Sequence, residues 1–209
     1  VNGWQRRAGR GLVLALVLGW TVAAGAATPG DSPPPPERLV RATTERMIEA
    51  IRREREVLRS DRARLFALVE KIMLPHFDLE RMAQRVLGKY WRRADRAQRE
   101  RFVAEFRTLL MRTYATALLE YQDQEIRFLE PLERGDDVLV RTKVEQDGGP
   151  PIPIDYRLYR AEQGWKVYDV AIDGVSLVIN YRSSFSAEIR RGGIDGLIAR
   201  LARHNREGS

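Results

Sequence analysis

The chain contains no cysteine. That removes disulfides, thiol nucleophiles, cysteine metal sites and a lipid-anchoring cysteine behind a leader. Histidine is almost as scarce. His76 and His204 are the only two, which excludes a histidine-rich metal site. No glycine-rich phosphate loop, zinc motif or calcium loop occurs, and Ser176 lacks the G-x-S-x-G surroundings of a hydrolase nucleophile. Long apolar runs are missing too: Leu12 to Trp20 is shorter than the roughly 20 residues a membrane span needs. There is no internal repeat.

What remains is ordinary for a globular chain. The 209 residues, 44% hydrophobic and 31% charged, allow one domain or one domain with a small subdomain. The net charge of +7 includes Arg6, Arg7 and Arg10 in an acid-free leader. Elsewhere the arginines alternate with glutamates along helical stretches, the pattern of a solvated face and not of a nucleic-acid footprint.

Residues 1–26 have the form of a secretory signal peptide. A basic start precedes the apolar run, and Ala24-Gly25-Ala26 offers the small residues a signal peptidase accepts. The expected location is therefore the periplasm, as a mature chain starting near Ala27. Residues 27–36 form a stiff proline-rich linker, and residues 37–209 form the functional domain.

That domain starts helical. A first helix runs from about Glu37 to Leu58 with Val40, Met47, Ile51 and Leu58 on its inner stripe. A second carries Leu65, Val69, Ile72 and Met73 and stops at Pro75. Asp78 caps a short third helix that ends at Gly88. Asp95 with Gln98 makes a capping box for a long helix to about Tyr121. From Glu125 the apolar period changes from helical to two, marking four short strands, with turns at Gly148-Gly149-Pro150-Pro151 and Gln163-Gly164. In the last strand, alternation sets Tyr168, Val170 and Ile172 on one face and Val167, Asp169 and Ala171 on the other. Asp173-Gly174 breaks the strand, Ser176 caps a covering helix, and Gly192-Gly193 precedes a final one. Helices, a four-stranded antiparallel sheet, then helices again read as an α+β fold.

Chemistry is sparse. His76 and Asp78 could be called a dyad, but Asp78 has a capping role and His76 occupies a turn. Tyr168 and Asp169 are strand neighbours, so in a regular strand they cannot share a pocket. No catalytic residues are assigned and no enzyme is expected. The inward side chains are aliphatic and aromatic, which suits a packed core and an apolar binding cavity equally well.

Four stretches carry a family resemblance: LPHFDLERMAQRVLGKYW, FVAEFRTLLMRTYATALLEY, WKVYDVAIDGVSLVINYRSSF and GGIDGLIARL. In this order and spacing they resemble the MlaC family of toluene-tolerance phospholipid-binding proteins, over about residues 37–204. The resemblance implies a curved sheet related to nuclear transport factor 2, with a small helical subdomain, and a periplasmic carrier that shuttles phospholipid between outer and inner membranes to maintain outer-membrane asymmetry. Its implied partners are phospholipid, an outer-membrane lipoprotein–porin complex and the substrate-binding ring of an inner-membrane ABC transporter. No nucleic acid is implied, and no cofactor beyond the lipid cargo.

The candidate cavity wall takes Ile72, Phe77, Met82, Val86 and Tyr90 from the first helices, and Phe102, Phe106, Leu110 and Tyr114 from the long one. Val140, Ile154, Tyr156 and Leu158 come from the strands; Tyr168, Val170, Ile172, Val175 and Tyr181 come from the last strand and its helix. A hopanoid-type or other lipid carrier, a non-lipid periplasmic adaptor with a filled core, and a cone-fold enzyme on a lipid-like substrate are the competing readings.

Overall fold

The computed structural model describes residues 35–146 and 148–207, which belong to one unit. The expected signal peptide and all but the end of the proline-rich segment lie outside the described residues. Pro36, assigned above to the linker, is instead the first residue of α1 (Pro36–Ser60). A proline fits there because that position has no intrahelical partner for an N–H.

Side-chain caps delimit the next helices. Asp61 accepts from the Arg64 amide at the start of α2 (Arg62–Ile72), and Asp78 does the same for Arg81 at the start of α3 (Leu79–Leu87). Between them lies a single 3₁₀ turn, Leu74–His76. Gly88 ends α3 at φ +55°, a conformation that suits glycine. After a 3₁₀ segment, Gly88–Arg93, Asp95 and Gln98 form the expected capping box of α4 (Arg96–Tyr114). The long helix stops earlier than its apolar stripe suggested. Thr116–Glu120 is a separate 3₁₀ turn, closed by Leu118 donating to the Ala115 carbonyl at 3.1 Å. Thr113 and Thr116, β-branched, weaken helix at this point.

The sheet is an antiparallel meander with five strands, one more than expected, in the order β1-β2-β3-β4-β5. These are β1 (Ile126–Arg134), β2 (Asp137–Gln146), β3 (Gly149–Ala161), β4 (Gly164–Ile172) and β5 (Val175–Ser176). The extra strand arises at Asp173-Gly174. Both residues take positive φ, +50° and +76°, and such a two-residue turn folds the chain straight back onto β4. Ser176 then caps α5 (Leu177–Glu207), accepting from the Ile179 amide at 3.1 Å. Gly193, at φ +70° and ψ −177°, leaves helical geometry, so α5 is two helical stretches meeting at a kink where the sequence places the break.

Regular alternation fails in β4. Arg157 opposes Asp169 while Leu158 opposes Val167, so Tyr168 is the extra residue of a bulge. Val167 thereby joins Val140, Leu158 and Val170 on the inner face, and Tyr168 is re-aimed to pack with α3.

Three apolar clusters result. One joins α3, α4 and α5, with Phe102, Phe106, Phe185 and Tyr181 in ring contact at 5.3–6.2 Å. A second joins α1 and α2 through Met47, Ile51, Leu58, Leu65 and Val69, and a third fills the inner face of the sheet. The clusters do not close upon one another. Between them lies a cavity.

Candidate functional site

The cavity has a volume of about 470 Å³ and takes its wall from all three clusters. That is inside the range of roughly 300–1,000 Å³ for small-molecule sites. Alternation on the strands explains the sheet side. Ile126, Thr142, Val144, Ile152, Ile154, Tyr156, Val170 and Ile172 reach it from one end of the sheet, where β1 and β3 begin and β2 and β4 finish. The helices supply Met47, Ile51, Val69, Met82, Leu110 and Tyr114, and the α2–α3 connection supplies Met73, Leu74 and Phe77.

Polarity is confined. Two charged side chains reach the wall, Arg107 and Glu120. Arg107 is paired with Glu70 at 2.6 Å, and Glu120 is solvent-exposed. Gln124 and Gln146 are part-exposed near the sheet end. The hydroxyl-bearing residues of the wall are Thr44, Tyr114, Tyr121, Thr142 and Tyr156. Burial pushes the Tyr156 phenol up to about 12, against a smaller opposing effect of Thr142. Burial, with Tyr181 alongside, also raises Tyr114. Both phenols stay neutral at physiological pH, so Arg107 and Glu120 are the only ionised side chains of the described wall. Such a surface recognises hydrocarbon and offers little to a charged substrate.

Of the sequence-derived wall, Phe77, Met82, Leu110, Tyr114, Ile154, Tyr156, Val170 and Ile172 line the cavity. The others stand elsewhere. Val86, Tyr90, Phe102, Phe106 and Tyr168 belong to the helical cluster, and Tyr181 packs against it. Ile72 is buried between α1 and α2, and Val140 and Leu158 are fully buried in the sheet cluster. Val175 is 56% exposed on the edge strand. Tyr168 is drawn away by its bulge: its hydroxyl donates to Asp137 at 2.6 Å, and the Arg85 guanidinium lies 4.3 Å over its ring.

Sequence reasoning missed the contributions of Thr44, Ile48 and the turn residues Ala117, Leu118 and Tyr121. The signal for the first two was the width of the α1 stripe, since Thr44 and Ile48 flank Met47 and Ile51. The turn residues gave a signal too, since Ala117, Leu118 and Tyr121 continue the wide apolar stripe of the long helix.

The acid–base candidates are engaged in structure. Asp78 caps α3 and accepts from the Tyr159 hydroxyl. Asp169 is buried at the start of α5, accepting from Ser176 Oγ at 2.7 Å and the Val178 amide at 3.1 Å, with Arg157 Nε at 3.6 Å. Its carboxylate complements the positive end of that helix. Tyr168 and Asp169 thus have separate partners. Among the described residues, no three histidine, aspartate or glutamate side chains gather as a metal site, and no helix is long and apolar enough to cross a membrane.

Comparison with known proteins bears on the same region. The chain matches the family model described as "MlaC protein" over residues 41–203. It is 28% identical over 171 residues to the intermembrane phospholipid transport system binding protein MlaC of Haemophilus influenzae, covering 79% of this chain and 80% of that one. It is also 28% identical over 189 residues to toluene tolerance protein ttg2D of Pseudomonas putida, covering 89% and 84%. Among solved structures, a phospholipid-binding protein from Ralstonia solanacearum, in complex with a phospholipid, superposes with a TM-score of 0.76 at 30% identity. That match covers 82% of this chain and 97% of the other. The family match spans most of the length and every element that walls the cavity, and the chain belongs to the MlaC family.

Proposed function

We propose that this protein is a periplasmic phospholipid carrier that holds acyl chains in the cavity between α1–α4 and the sheet and shuttles lipid between outer and inner membranes. The observation that carries the reading is the cavity: about 470 Å³ walled mainly by aliphatic and aromatic side chains, with charge limited to the paired Arg107 and the exposed Glu120. Each methylene removed from water is worth about 0.8 kcal/mol, so two long acyl chains are held from water by roughly 20 kcal/mol. Free lipid therefore crosses an aqueous compartment too slowly to matter. A cavity of this polarity offers a setting close to that of a bilayer interior and makes transfer nearly neutral. Direction must then come from partners, and the lipoprotein–porin complex and ABC-transporter ring implied by the family fit that need. Catalytic turnover of the lipid is not part of the reading.

The test is extraction of the protein from its native periplasmic fraction, followed by mass spectrometry of bound lipid. Stoichiometric phospholipid with intact ester bonds is the expected result. Protein recovered free of lipid, or with free fatty acid released by it, would overturn the reading.

A further inference from the structure

Most of the cavity wall is built of regular elements, but two connections reach it without a buried residue, residues 73–78 between α2 and α3 and residues 117–124 after α4. The first of these crosses the wall as a single strap. By contrast α1 presents Met47 and Ile51, α2 presents Val69 and α3 presents Met82, all at 7% exposure or less. Empty space adjoins the strap twice. Met73 and Phe77 line the main cavity and also a side pocket of about 30 Å³, which shares Thr44 and Tyr156 with it. Phe77 packs against the helical and sheet clusters and Met73 against that of α1 and α2, but neither is fully buried, and voids adjoin both.

Beside that packing, polar contacts from β3 and β4 hold the strap. The Asp78 amide donates to the Val167 carbonyl at 2.8 Å, and Phe77 pairs with Val167 in an isolated parallel bridge. Lys166 Nζ donates to the Pro75 carbonyl at 2.6 Å, and the Tyr159 hydroxyl donates to Asp78. The Arg81 guanidinium lies 3.7 Å over the Tyr159 ring. Val167 and Lys166 immediately precede the bulged Tyr168, so the irregularity of β4 lies at the strap's attachment point.

We infer that residues 73–78 form a latched gate in the cavity wall, held by Lys166, Tyr159 and the Val167 backbone, through which an acyl chain enters and leaves. The inference rests on the carrier reading. Loss of the latch lets Met73 and Phe77 swing away together and opens the cavity along its flank. A chain then passes sideways to an apolar acceptor instead of being drawn end-on through water.

The absence of native cysteine makes a direct test possible. Ladder partners lie within the span a disulfide bridges, so the double variant Phe77→Cys/Val167→Cys can be closed by oxidation and reopened by reductant. The readout is release of a pyrene-labelled phosphatidylglycerol from loaded protein into detergent micelles. Oxidation should slow release about tenfold or more, and reduction should restore it; the unlatching variant Lys166→Met/Tyr159→Phe should speed release roughly fivefold. Unchanged release in the oxidised protein, shown by mass to be cross-linked, overturns the gate. So does unchanged release in the folded unlatching variant. Lipid content of wild type is measured alongside: lipid present with release insensitive to the lock sinks the gate alone, whereas wild type unable to hold lipid sinks the carrier reading and the gate with it.

Discussion

Val140 and Ile154 read alike in sequence, as inward positions on neighbouring strands. In the structure Val140 has no exposed surface and is enclosed among inner-face residues such as Leu158 and Val167, while Ile154 faces the cavity. The same substitution should therefore act differently at the two. Val140→Trp forces an indole into close packing, a change that costs about 1–3 kcal/mol or more. Ile154→Trp grows into empty space, so the protein should fold normally and purify with much less lipid. Thermal unfolding with lipid quantified per protein compares them, and equal destabilisation by both would mean that Ile154 does not face a hollow. His76 gives a second prediction at this scale. Burial, then Lys166 and Arg46, hold its imidazole below the ordinary 6.5. The unfolded chain therefore binds the proton more readily, so stability is complete above the unfolded value and declines as pH falls from there through the folded one. His76→Gln should flatten that decline, as measured by denaturant unfolding at about pH 7.5 and about pH 5.5. A decline of the same depth in the variant would assign it to other groups.

At the level of elements, the caps can be tested alone. Asp95 accepts from the Gln98 amide at 2.8 Å, and Gln98 returns a bond to the Asp95 amide at 3.1 Å. Asp95→Ala should cost about 1 kcal/mol, a fall in Tm of roughly 2–4 °C for a domain of this size, with lipid content unchanged. Elements whose ends depend on such local chemistry were readable in advance: Asp78 and Asp95 start helices, and Gly88 ends one. Three features were not readable. The bulge at Tyr168 is a register relation between β3 and β4, and a single strand carries no record of its partner's register. The strand β5 exists because Asp173-Gly174 turns tightly enough for two residues to pair, although the break itself was visible. The end of α4 lies inside an apolar stripe that continues unbroken into the 3₁₀ turn. In each case tertiary pairing or local turn geometry overrode the periodicity on which the reading rested.

Across the whole molecule, periodicity distinguishes inward from outward but not filled from hollow. Phe102 and Phe106 were read as cavity wall beside Leu110 and Tyr114 because all four share the inner stripe of α4. The first two meet Phe185 and fill the helical cluster, while the last two reach the cavity. Which part of a stripe meets empty space depends on where three clusters stop, a property of no single element. The emptiness itself has an energetic consequence. Space left unfilled in a protein interior costs stability in proportion to its volume, so about 470 Å³ without a ligand is a cost that a bound ligand offsets. Water in that space reduces the cost but gains few hydrogen bonds from an aliphatic wall. The protein should accordingly depend on its cargo more than on any single side chain. A ligand present at a hundred times its dissociation constant adds about 2.7 kcal/mol, which for a domain of this size raises Tm by roughly 5–10 °C. Delipidation should lower Tm by at least that amount while leaving far-UV circular dichroism nearly unchanged, since the helices and sheet keep their own hydrogen bonds. Reloading with phosphatidylglycerol should restore the original value. Ile154→Trp, its indole in part of the space, should show a smaller gap between loaded and stripped forms than wild type. If stripped and loaded wild type melt together, the cavity contributes no strain for lipid to relieve, and the coupling between cargo and stability is refuted.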